Sequence, residues 1–133
     1  MTWLFFEFVD HGGRRELQTW VGNMQPRVAK EVAATMKAKL EIARKLPLLR
    51  FPLFAQLAGE EGIIEMRFKA AGTQWRPLGC YGPGDQMSFT FLVGAKEVGG
   101  AFVPRSAPGS AGDRRGILTM GRVAELWLLQ TEN

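Results

Sequence analysis

Midway along the chain the hydrophobic period changes, and that change limits the fold more than any other feature. Between Pro26 and Leu46 the residues Val28, Ala29, Val32, Ala33, Met36, Leu40 and Ala43 share one arc when turned at about 100° per residue. Lys30, Lys37, Glu41 and Arg44 lie across from them. The segment is rich in Ala, Lys, Glu, Met and Leu, and Pro26 stands where a first helical position tolerates its missing N–H. Past Gly62 the period becomes two, with Ile64, Met66 and Phe68 on one side and Ile63, Glu65, Arg67 and Lys69 on the other. A helical first half followed by a strand-rich second half predicts an α+β fold.

The remaining segments fill in this frame. Trp3 to Val9 is dense in aromatic and branched residues and stops at Asp10-His11-Gly12-Gly13, which predicts a first strand leaving through a turn. Leu17, Trp20, Val21 and Met24 then repeat at i, i+3, i+4 and i+7, a short helix with Asp10 or His11 near its capping end. Pro47 ends the long helix, and Pro52 makes Leu48–Leu57 a packed connector. Ala70–Gln74 and Gly82–Asp85 read as turns joining three strands, up to Phe68–Lys69, Trp75–Tyr81 and Met87–Gly94, into an antiparallel meander. Gly99-Gly100 predicts a tight hairpin into Ala101–Val103, while the glycines of SAPGSAGDRRGILTMGR argue against a helix, leaving at most two turns over Asp113–Met120. Val123–Leu129 is apolar enough to pack as either helix or strand. The expected core joins Ile64, Met66, Phe68, Phe89, Phe91 and Val93 to Val32, Met36 and Leu40.

The chain is of one-domain size at 133 residues, and 46% hydrophobic residues suffice for a core. We therefore expect one domain over 1–133, with 121–133 the least defined part. Its one cysteine, Cys80, cannot form an internal disulfide or a cysteine-rich zinc site. The amino-terminal apolar run has no basic residue before it and is interrupted by Glu7, so it reads as a strand and not a secretion signal. No run approaches the roughly 20 apolar residues of a membrane span. The expectation is a cytoplasmic protein without membrane contact.

The net charge is +4, and residues 14–50 hold nine basic residues against three acidic ones, which permits a polyanionic partner. No P-loop, dinucleotide fingerprint, nucleophile–base pattern or metal-ligand spacing occurs, so no metal or cofactor is expected. His11, the single histidine, sits beside Gly12 and reads as a turn residue. Glu65, Arg67 and Lys69 leave one strand face, with Arg76 on the facing strand, so the basic groups can converge on one phosphate. A solvated face crossed by a Glu65 salt bridge is the alternative.

The strings GIIEMRFKAAGTQWRPLGCYGPG and FTFLVGAKEVGGAFVPRSAPGSAGDRR resemble the phage-derived branch of the RelE/HigB toxin family, within the RelE/ParE superfamily of type II toxin–antitoxin systems. In that branch a strand with Glu-x-Arg precedes a strand with Arg near its start, then a Leu-Val-Gly strand, a Lys/Gly turn, Phe-x-Pro-Arg and a basic tail. The resemblance implies a concave sheet flanked by two amino-terminal helices. It also implies metal-independent cleavage of mRNA in the ribosomal A site and neutralisation by a small helix-turn-helix antitoxin. It carries catalytic roles to Arg67, Lys69 and Arg76, and RNA binding to Arg105, Arg114 and Arg115. Lys69 would transfer a proton if burial among arginines lowered its pKa. Residues 104–133 contain no Tyr, His or Lys, groups that complete the site in family members, so two further readings stay open. One is a non-enzymatic phage or prophage protein of the same fold that acts by protein–protein binding, and the other a gyrase-directed relative.

Overall fold

A computed structural model describes residues 2–84 and 87–130. The order of elements is β1 (Leu4–Phe8), α1 (Glu16–Gly22), α2 (Pro26–Ala43), β2 (Phe54–Gln56), β3 (Ile64–Met66), β4 (Phe68–Ala70), β5 (Thr73–Trp75), β6 (Leu78–Tyr81), β7 (Ser88–Val93), β8 (Lys96–Val98), β9 (Ala101–Val103), α3 (Ala107–Gly116) and β10 (Val123–Glu125). The fold is mixed α and β, as the change of period predicts.

Among the described residues the strands make two sheets, one of six in the order β10-β1-β7-β6-β3-β2 and one of four in the order β4-β5-β8-β9. β1 runs parallel to β7, and every other pairing is antiparallel. The two sheets are a single meander with a crease. Each of its three long strands passes from one sheet to the other, β3 to β4 at Arg67, β6 to β5 at Arg76-Pro77 and β7 to β8 at Gly94-Ala95. Backbone bonds carry the ladder across: Met66 N donates to the Pro77 carbonyl at 3.0 Å and Arg76 N to that of Ala95 at 2.8 Å. Pro77 has no N–H to give, which is one reason the regular ladder breaks there.

β7 is buried along its whole length because both of its faces are covered. On one side Phe89 and Phe91 join Phe5, Phe54, Ile64 and Met66 against Val32, Met36, Leu40 and Ala43 of α2. On the other, Leu92 and Val93 join Ile63, Leu78 and Cys80 against Ala107 and Ala111 of α3. Val93 and Ile63 are thus corrected: Val93 belongs to the second cluster, and Ile63, expected on an outer face, is fully buried there.

Other expectations change as well. The glycine-rich segment does form a ten-residue helix, α3, because Ala107 and Ala111 bury a small-residue stripe whose packing offsets poor propensity. The connector contributes β2, and α2 ends at Ala43, before Pro47. The turn expected over Ala70–Gln74 is a two-residue hairpin with Ala71 and Gly72 both at positive φ (50° and 72°). The N-cap position of α1 is Arg15 rather than Asp10 or His11, and its side chain makes no capping bond. The ambiguous segment resolves as β10 followed by a 3-10 turn over Trp127–Leu129. Asp85, in the expected Gly82–Asp85 turn, and residues 131–133 of the tail lie outside the described residues.

Glu7 ties the termini together. It is fully buried and accepts hydrogen bonds from Arg15 Nη2 at 3.1 Å, the Gln18 N–H at 2.9 Å and the Trp127 N–H at 3.1 Å. One carboxylate therefore caps the first turn of α1 and anchors the chain beyond β10, so the polar break in the first strand is an internal clip.

Candidate phosphate-binding groove

The crease determines where the basic side chains meet. On its two sides Glu65 lies opposite Leu78 and Phe68 opposite Trp75, and the same register brings Arg67 across from Arg76. Like charges directly across a ladder repel, so each needs a counter-charge. Glu65 is 3.5 Å from Arg67 Nε, and Glu97 of β8 is 3.4 Å from Arg76 Nη2. Arg76 also donates to the Gln74 side chain at 3.3 Å and to the Trp75 carbonyl at 3.1 Å, which fixes the plane of its guanidinium.

Arg67, Lys69 and Arg76 line one shallow groove of about 340 Å³. Lys39 from α2, Phe68, Gln74 and the loop pair Phe51-Pro52 complete it. The Arg67 guanidinium stands 5.7 Å from the centre of the Phe51 ring. Its side chain is 37% exposed, against 8% for Arg76, so Arg67 faces the groove and Arg76 forms its floor. Lys69 is exposed, and the burial among arginines that a proton-accepting role requires is absent. Glu65 is the group in the environment expected for Lys69. Burial raises its carboxyl above the ordinary value, opposed by Arg67 and Arg76 and assisted by Glu97.

The three carboxy-terminal arginines do not reach this groove, because α3 packs on the opposite face of the sheet from α2. Arg114 is committed internally: it donates to Glu16 at 2.6 Å and to the Leu92 carbonyl at 2.6 Å, and lies 4.8 Å from the centre of the Phe8 ring. The Arg115 side chain lies against Gly62, where a β-carbon would collide with it. Arg105 is exposed on the loop before α3.

Lys39 and Phe51 escaped the sequence reading. Lys39 flanks the buried arc of α2, three residues after Met36, and helical phase alone does not say what that flank faces. Phe51 reads as one more apolar residue of the connector, yet it is 68% exposed. Cys80 is buried with its thiol pushed up to about 11, so it is a packing residue. Among the described residues no group of three His, Cys, Asp or Glu side chains is placed to hold a metal ion, and no helix is long and apolar enough to cross a membrane. No family model, no curated protein and no solved structure matches this chain.

Proposed function

We propose that the chain is the toxin of a type II toxin–antitoxin pair of the RelE/HigB kind, a cytoplasmic ribosome-dependent endoribonuclease restrained by a small helix-turn-helix antitoxin. The observation that carries this reading is the placement of Arg67 opposite Arg76 at the crease, with Lys69 and Lys39 in the same groove. Paired arginines balanced by partly exposed carboxylates suit a ligand with several anionic oxygens, and a phosphodiester is such a ligand. The topology is compatible with the resemblance, since the first strand lies parallel to the Leu-Val-Gly strand and two helices lie between the first strand and the meander.

In this reading the ribose 2′-OH attacks the adjacent phosphorus and the bond to the 5′-oxygen breaks, leaving a 2′,3′-cyclic phosphate and a 5′-OH. Glu65 takes the 2′-OH proton, and its raised pKa makes it a stronger base than an ordinary carboxylate. Arg67 and Arg76 stabilise the charge that builds on the equatorial oxygens. The exposed Lys69 ammonium delivers a proton to the leaving oxygen. Arg105 and Arg115, on the other side of the molecule, serve contacts to ribosomal RNA away from the scissile bond, and Arg114 serves the fold.

The rival, a partner-binding protein of the same fold, draws support from the exposed apolar residues Ile42, in the last turn of α2, and Leu46 and Leu48 just beyond it. Induced expression separates the two. The toxin reading expects growth arrest, relief on co-expression of the antitoxin, and loss of arrest in Arg67→Ala and Glu65→Gln but not in Lys30→Ala/Lys37→Ala. A harmless wild type, or a fully toxic Arg67→Ala variant, would falsify it in favour of the rival.

A further inference from the structure

The cationic groove does not stop at Phe51. The ring is the shared wall between that groove and a second one of about 360 Å³, whose lining includes Leu49, Arg50, Gln56, Ile64 and Tyr81. Three aromatic residues line this second space, the buried Phe54 and two exposed rings, Phe51 at 68% exposure and Tyr81 at 52%. Tyr81 is held from behind, its ring 5.6 Å from Trp3 and 6.0 Å from Phe89 between centres. β2, whose Ala55 and Gln56 also line the space, is the last strand of its sheet, and its outer edge has no strand partner among the described residues. Arg50 and Gln56 are both exposed and bring donors, and in the case of Gln56 an acceptor, to the same space.

We infer that this second groove takes the nucleobase next to the phosphate held at the crease, stacked on Phe51 and edged by Tyr81. The inference rests on the ribonuclease reading and deepens it, because it assigns a separate subsite to the base beside the held phosphate. A single strand alternates a charged phosphate with a flat apolar base, and the surface alternates in the same way, cations at the crease and rings beyond the Phe51 wall. Aromatic rings beside a basic groove are the usual platform for splayed-out bases, since every base has a face to stack. A base inside a duplex is already stacked and has no face to offer. Arg67, in contact with the Phe51 ring on the side of the crease, sets the phosphate and the platform at a fixed separation.

The test uses the full chain and two fluorescent probes. One is a short single-stranded oligonucleotide with 2′-O-methyl riboses, which cannot be cleaved, and the other is the same strand without its bases. The inference expects the wild type to prefer the intact strand and Phe51→Ala to bind it about ten-fold or more weakly. Phe51→Ala should weaken the abasic strand far less than the intact one, and Phe51→Trp should restore binding of the intact one. Arg67→Ala should weaken both probes together. Equal affinity of wild type and Phe51→Ala for the intact strand overturns the inference, and so does an equal loss on both strands. A wild type that binds neither strand also overturns the inference, while growth arrest on induction decides the ribonuclease reading separately. Phe51 is exposed, so the truncated variant should keep its fold, and near-ultraviolet circular dichroism checks this.

Discussion

The Arg76 guanidinium is 8% exposed and holds Gln74, the Trp75 carbonyl and Glu97, so Arg76→Ala should cost about 2 kcal/mol in denaturant unfolding. Arg67, more exposed and paired with one carboxylate, should cost less than about 1 kcal/mol on the same substitution while removing the proposed activity. Growth assays of the two variants, which test the proposed toxicity, are therefore to be read beside their unfolding curves, since only Arg67→Ala separates the proposed chemistry from stability. Cys80 allows a second test at this scale. Its thiol is pushed from 9.0 up to about 11 by burial, so between those values the folded chain keeps a proton that the unfolded chain gives up. Stability should then fall as pH rises through that window, and Cys80→Ala should remove that part of the dependence. A thiol reagent at neutral pH should modify Cys80 only after denaturant is added.

Among the elements, the hairpin joining β4 to β5 departs furthest from what its residues prefer. Ala71 sits at φ 50°, a left-handed conformation that glycine adopts freely and alanine does not, and its N–H is bound by Glu31 of α2. The turn is held by that contact and by the register of Phe68 with Trp75. Ala71→Gly should stabilise the protein by roughly 0.5–1 kcal/mol, the release of strain outweighing the added freedom of the unfolded chain. A drop in thermal midpoint would show that the Glu31 contact or the strand pairing, and not the turn conformation, governs this hairpin. At the end of β7, Gly94 has the opposite reason to be glycine, because a β-carbon there would overlap the Trp20 ring of α1. α3 extends the point: its sequence is poor in helix formers, and it forms because two alanines let it lie close on β6 and β7.

For the molecule as a whole, closure of the large sheet depends on the last described segment. β10 covers the free edge of β1, Leu126 N donates to the Phe5 carbonyl at 3.0 Å, the Leu126 side chain is fully buried, and the Trp127 N–H satisfies Glu7. A chain ending at Arg122 should lose all four features at once, leaving an open β1 edge and a buried carboxylate short of a donor. Light scattering should then show self-association at concentrations where the full chain is dispersed. A truncated chain as stable and as dispersed as the full one would mean that the segment contributes nothing to the fold.

The sequence by itself determined the elements whose cause is local. The arc of α2, the alternation of Ile64, Met66 and Phe68, and the basic character of Arg67, Lys69 and Arg76 are written within a few residues, because a helix turn or a strand pleat repeats over that distance. Only the tertiary structure decided the rest. The parallel pairing of β1 with β7 joins segments some eighty residues apart, and the crease arises where Pro77 and the demands of two sheets interrupt three strands together. The same packing buries Arg76, leaves Lys69 in solvent, makes Glu65 a raised-pKa carboxylate and sends Arg114 to Glu16 on the far face. A residue's charge is a property of its side chain, but its exposure and its partners are supplied by segments distant in the chain. For that reason the cationic character of this strand pair was legible in the sequence, and the geometry that sorts these cations into a groove and a scaffold was not.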